Sequence, residues 1–153
     1  MIRFRTVREN GVAMSAKGHP NNVPGVPMLF PAWLERVQIR YVNPLLKPVA
    51  RYLPGTATIT HRGRNSGTEY ETLVTAYCKG PMLAIGLAHG KTDWVKNVLA
   101  AGEAEVRFTR REVHLHNPRI LPAGSHTDAQ AAALPRIARL LNRRVGVFVA
   151  DIK

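Results

Sequence analysis

Residues 56–73 read TATITHRGRNSGTEYETL, and this stretch decides the fold. Thr56 to His61 alternates, with Ala57 and Ile59 on one side and threonines on the other, the period of a half-buried strand. A basic turn follows, His61-Arg62-Gly63-Arg64-Asn65-Ser66-Gly67, and a second strand runs from Tyr70 to Cys78. Gly63 and Gly67 free the backbone for positive φ and let a ligand come close to Arg64, Asn65 and Ser66. Backbone N–H groups beside a guanidinium fork suit a phosphate. So short a link makes the two strands antiparallel neighbours.

Downstream, Lys79-Gly80-Pro81 turns the chain into a third strand, Met82 to Ala88, whose continuous apolar run predicts burial on both faces. Ala88-His89-Gly90-Lys91 then leads into a helix over Asp93 to Ala101, with Thr92 or Asp93 placed to cap it and Gly102 to end it. Its N-terminus is a second place that favours an anion. Trp94, Asn97 and Val98 share one face of that helix. Ala104 to Phe108 and Glu112 to Leu121 form a hairpin, the latter strand broken near Asn117-Pro118. Thr127 with Gln130 three residues on is a capping-box pattern. Pro135 splits the helix it starts, and Val145 to Ile152 is the last strand. Links this short favour an α+β fold: a small closed or split β-barrel of about six mainly antiparallel strands with helices in the connections.

Upstream, Met1 to Pro27 carries GHPNNVPGVP without an apolar period, so residues 1–28 are expected as a flexible or surface-laid tail before a single domain over 29–153. Phe30, Leu34, Val37, Tyr41 and Leu45 recur at spacings of three and four, with Arg36, Arg40 and Lys47 elsewhere. That pattern predicts an amphipathic helix with a basic flank, interrupted at Pro44 and Pro48, which packs across the domain or rests on a membrane surface.

The chain has 153 residues, enough for one domain with a real core, and 22 basic against 10 acidic side chains. Residues 1–55 hold eight basic and two acidic, and the remainder fourteen and eight, so each part carries +6. The excess is not only a tail, and it suits a polyanionic or multiply charged partner. A lone cysteine, Cys78, excludes an internal disulfide framework and fits a reducing, cytoplasmic setting. No apolar run is long enough to span a bilayer.

Several chemistries find little support. Ser66 lacks the strand-to-helix elbow of an activated nucleophile. His114 and His116 share a strand face without a third metal ligand at motif spacing. Glu69 and Glu71 offset nearby arginines. Arg62, Arg64, Arg107, Arg110, Arg111, Arg143 and Arg144 could track a nucleic-acid backbone, but the strands carry no aromatic stacking platform, so nucleic acid is not expected as a partner.

Gly63-Arg64-Asn65-Ser66-Gly67, Thr72-Leu73-Val74, Ala88-His89-Gly90, Asp93-Trp94-Val95-Lys96-Asn97-Val98 and Ala100-Ala101-Gly102, taken in order from Leu29 to Leu121, resemble the deazaflavin-dependent nitroreductase and quinone reductase family. The resemblance implies an FMN-binding split-barrel-like fold and the reduced deazaflavin F420 as cofactor, with its phosphate at Arg64, Asn65, Ser66 and Gly67. It places Leu73, Val74 and Thr75 along the ring, Ala88, His89, Gly90 and Lys91 on the opposing loop, and Trp94 and Asn97 over the cofactor. A polyglutamate tail would meet Arg62 and Lys91. The implied reaction is hydride transfer to a small-molecule acceptor, a quinone or another conjugated electrophile, with the completing proton from water or His89. Asn65 stands where the family usually has a basic residue, Tyr70 likewise, and Leu73 where it has proline. Alternatives are the same barrel with FMN or haem, or a cofactor-free basic module for membranes or nucleic acid. Fold analogy adds a homodimer, and the basic helix adds contact with the inner face of a membrane.

Overall fold

β1 (Thr56–Arg62) turns Ala57, Ile59 and His61 inward, as its alternation requires. The computed structural model describes residues 19–29, 55–125 and 129–153. The expected helix from Phe30 to Lys47, and Thr127 of the capping pair, lie outside the described residues.

After β1 come β2 (Glu69–Lys79), β3 (Met82–Gly86), helix α1 (Asp93–Ala101), β4 (Glu103–Arg107), β5 (Glu112–Leu121), two short helices α2 (Ala129–Ala132) and α3 (Arg136–Leu141), and β6 (Val147–Ile152). The strands close into a barrel in the order β1-β2-β3-β6-β5-β4, with β4 pairing back onto β1 and every pair antiparallel. This is the α+β barrel of about six antiparallel strands that the sequence predicts.

Two apolar layers hold it. Ile59, Leu83, Val106, Leu115 and Phe148 fill the barrel, sealed by Val95 and Val98 of α1. On the outside of β3 and β6, Ala84, Val147 and Val149 are covered by Ala131, Leu134 and Ala138 from the α2–α3 region. β3 is therefore buried on both faces, as its unbroken apolar run predicts. Each fully buried aliphatic side chain contributes about 1.5–3 kcal/mol.

The expected break in β5 is a register shift between His116 and Arg119, with Asn117 at φ 52°. Asparagine tolerates that left-handed conformation. Its amide donates to Asp151 Oδ2 at 3.0 Å, and Arg119 reaches Asp151 Oδ1 at 3.2 Å. The bond from Asn117, helped by Arg119, holds the Asp151 carboxyl below the usual range. α1 ends as expected at Gly102, φ 76°, whose N–H donates to Val98 O. At its start, Thr92 occupies the N-cap position but its hydroxyl makes no capping bond.

Residues 19–29, read from the sequence mostly as tail, lie along the barrel as a strap. Val26 is 4% exposed and belongs to the barrel core, Lys91 N–H donates to Asn21 O, and Leu29 N–H donates to Ala88 O. Two valines among glycines and prolines make no period, so this packing left no pattern to read. Among the described residues no helix is long and apolar enough to cross a membrane.

Candidate functional site

β2 pairs with β1 from Glu69 to Thr75, whereas its pairing with β3 begins only at Ala76. Among the described strands, 70–75 therefore has one uncovered edge. Ala76 N–H donates toward β1, to Gly55 O. Alternation then turns the Val74 amide to the same side and the Leu73 amide to the open edge. Along that edge runs a cleft of about 1430 Å³, bounded by the basic turn, the loop at 88–90, the first turns of α1 and the end of α3.

The basic turn is built for close packing. Gly67 N–H donates to Gly63 O and Gly63 N–H to Thr68 O, both at 2.8 Å. A Cβ on Gly63 would run into Ser66 Oγ, and Gly67 sits at φ 70°. From this turn Arg64 reaches α1. Its backbone N–H and its Nη1 both donate to Asn97 Oδ1, at 3.2 and 2.8 Å, and its Nη2 lies 3.3 Å from Asp93 Oδ1. With the side chain 35% exposed, the remaining guanidinium donors stay available to a ligand.

Asn97 is 5% exposed and fixes more than Arg64. Because its oxygen takes both Arg64 bonds, its amide nitrogen faces His61 Nδ1 at 3.1 Å. Nδ1 must therefore accept, which puts the ring proton on Nε2, 2.9 Å from Thr72 Oγ1. Burial lowers the His61 pKa, and the nearby Asp93 charge only partly opposes this. A protonated ring would aim a second donor at the Asn97 amide.

The sign follows from linkage. A histidine with a depressed folded pKa contributes stability that is present above its unfolded value, about 6.5, and lost as pH falls through the folded one. Urea midpoints taken from pH 7.5 to 5 should thus fall more for the wild type than for His61→Gln. Parallel curves for the two proteins would show that His61 is not the titrating group.

Of the residues the sequence singled out, Arg64, Asn65, Ser66, Leu73, Val74, Thr75, Ala88, His89, Gly90, Trp94 and Asn97 all line this one cleft, whereas Gly67 and Lys91 do not. Gly67 shapes the turn from behind, and Lys91 meets the strap through its backbone. Gly90, φ 77°, is needed because a Cβ there would collide with the Asn21 carbonyl. Trp94 packs edge-on against Phe148, centroids 5.2 Å apart. At the head of α1, Thr92 lines the same cleft, and its Oγ1 is buried with no hydrogen-bond partner among the described residues.

Sequence reasoning missed His61, Thr72 and the end of α3 as parts of the site. By sequence His61 reads as the first residue of a turn, and only its inward place in the alternation marks it. Arg143 and Arg144 read as basic surface. Among the described residues no three histidine, cysteine or acidic side chains gather as a metal site; His114 instead lies 3.2 Å from Glu103.

No protein-family profile matches the chain, and no curated protein matches it. Solved structures to which it is similar include an F420-H2 dependent reductase, FDR-A, at 17% identity and TM-score 0.44, covering 64% of this chain and 95% of that one. Another is a domain-swapped dimer at 16% identity and TM-score 0.45, covering 78% and 100%. A third is the heme storage protein HutZ from Vibrio cholerae at 11% identity and TM-score 0.45, covering 72% and 89%. The barrel assignment rests on the strand pairing described above.

Proposed function

We propose that this protein is an oxidoreductase that binds reduced F420 in the cleft and passes a hydride to a conjugated electrophilic acceptor such as a quinone. The observation that carries the reading is convergence: the residues that resemble the deazaflavin-dependent family, scattered from 64 to 97, line one cleft. The residues present fit the cofactor. The cleft exceeds the roughly 300–1,000 Å³ of an ordinary small-molecule site, leaving room for a cofactor and an acceptor in contact. The free donors of Arg64 supply polar contacts, and Thr92, whose Oγ1 is buried without a hydrogen-bond partner among the described residues, stands in the wall.

When bound, the deazaflavin supplies the hydride from C5, and the chain does the rest. Arg64, held by Asn97, offers its remaining N–H donors to the phosphate, while Asn65 adds no charge. The open edge at Leu73 presents backbone to the ring. Trp94, braced by Phe148, and Leu87 keep water from the apolar stretch between. His61 has both ring nitrogens engaged and serves position. The proton that completes reduction comes from water in the cleft or from His89, which lines it.

A fluorescence titration with F420 tests this reading. Quenching should saturate at micromolar cofactor and weaken about 10- to 100-fold in Arg64→Ala, the size of a lost charge-assisted hydrogen bond. Absence of quenching, or tighter binding of FMN in the same assay, would replace F420 as the cofactor.

A further inference from the structure

The cleft has a second basic corner. Arg143 and Arg144 line it just beyond α3, three strands around the barrel from Arg64 in the order β1-β2-β3-β6. Both ends lie on the same rim, because Gly86 at the end of β3 pairs with Val147 at the start of β6. Arg62, Arg64, Arg107 and Arg119 each have an acidic partner. Among the described residues neither Arg143 nor Arg144 does.

Their backbone is fixed in advance. Asn142 is fully buried, and its amide donates to the carbonyls of Pro122 at 3.0 Å, Val145 at 3.3 Å and Leu121 at 3.4 Å. Its backbone carbonyl accepts from Gly124 N–H, while its side-chain Oδ1 is buried without a hydrogen-bond partner among the described residues. Burying an amide nitrogen is costly unless it is bonded, and here its bonds to carbonyls on both sides lock the turn that carries the two arginines. Nor are the guanidinium groups needed to finish α3. Its last carbonyls already receive the N–H groups of Asn142, Arg143, Arg144 and Val145.

Beside the arginines the wall is apolar and open. Leu140 is 61% and Leu141 38% exposed, both line the cleft, and Leu141 leans on the bare backbone of Gly86. Leucines left in water next to two unpaired cations match a ligand that has an apolar body and an anionic end.

We propose that Leu140, Leu141, Arg143 and Arg144 form a subsite for a conjugated, largely planar molecule bearing one carboxylate, sulfonate or phosphate. In the terms of the function proposed above, on which this assignment to the acceptor rests, the acceptor is an anionic conjugated compound rather than a neutral quinone. The function proposed above assigns the cofactor's phosphate to Arg64, and the family resemblance assigns its polyglutamate tail to Arg62 and Lys91, which leaves the second basic corner for the other ligand.

A matched pair of probes reads the subsite without cofactor: 1-anilinonaphthalene-8-sulfonate and N-phenyl-1-naphthylamine, which share the ring body and differ in the sulfonate. The sulfonate should bind about tenfold or more tighter than the neutral amine, and R143A/R144A should remove that advantage. R136A/R139A, which makes the same change in net charge on α3 outside the cleft, should leave it intact. Equal binding of the two probes, or equal loss in both double variants, overturns the subsite. An F420 titration of R143A/R144A separates the two readings. Unchanged cofactor affinity keeps the corner for the acceptor, and lost cofactor affinity assigns it to the cofactor and overturns the proposal. Sulfonate preference without any F420 binding sinks the cofactor and leaves the subsite standing.

Discussion

Phe148→Ala is expected to lower the unfolding free energy by about 3–5 kcal/mol, the usual range for truncating a buried aromatic ring. Phe148 is fully buried on β6, paired with Ile85 on β3 and Ile120 on β5, so its ring sits inside the barrel on a strand laddered on both sides. The strands cannot move inward to fill the space without breaking two ladders. The ring is also the brace of Trp94, and Trp94 lines the cleft. Two readouts should therefore move together: the urea midpoint falls, and Trp94 gains mobility, seen as lower fluorescence anisotropy or faster acrylamide quenching in Trp94-only protein (Trp33→Phe). Phe148→Leu, which keeps most of the volume, should recover most of the stability and less of the tryptophan order, because the edge contact is aromatic. A Phe148→Ala protein with wild-type midpoint would mean that the barrel repacks freely, against the density expected of such a core.

Much of this fold was legible because its forces are local. Alternation at Thr56–Arg62 and the unbroken apolar run of β3 report which faces are buried, and Gly102 ends α1 as its sequence position demands. Closure was not legible. That β6 inserts between β3 and β5 is a long-range choice, settled by the fit of Val147 and Val149 under Leu134 and Ala138. The strap was hidden for a different reason: Val23 and Val26 pack against the core, and two residues make no period. In the site, short motifs around Arg64, His89 and Trp94 mark three walls of the cleft. The wall at Leu140 to Arg144 depends on Asn142, two of whose three amide bonds go to carbonyls about 20 residues upstream. His61 and Asn97 show the same limit, since a hydrogen bond between positions 36 apart leaves no trace in either neighbourhood.

Asn97→Ala should cost about 2–4 kcal/mol, more than its size suggests, because three groups lose their partner at once. The Arg64 N–H and guanidinium lose their acceptor, and His61 Nδ1 loses its donor inside the barrel. Asn97→Asp separates these effects. An aspartate keeps an acceptor for Arg64, but it turns a carboxylate oxygen toward His61 Nδ1, which can bond only if Nδ1 carries a proton. With Nε2–H still held by Thr72, the ring is driven toward its charged form, and the folded pKa should rise above the unfolded one. The sign of the pH dependence then reverses. Wild-type stability from His61 is lost as pH falls below about 6.5, whereas in Asn97→Asp the contribution is complete below that value and lost as pH rises through the elevated folded pKa. Chemical unfolding of both proteins from pH 5 to 8, with the His61 ring followed by nitrogen NMR, checks the slope and the protonation together. Slopes of the same sign would show that the amide of Asn97 does not hold His61 neutral. The carboxylate also neutralises Arg64, so Asn97→Asp should weaken F420 quenching even where the protein remains folded, a loss that an intact turn with an unchanged Arg64 would not produce.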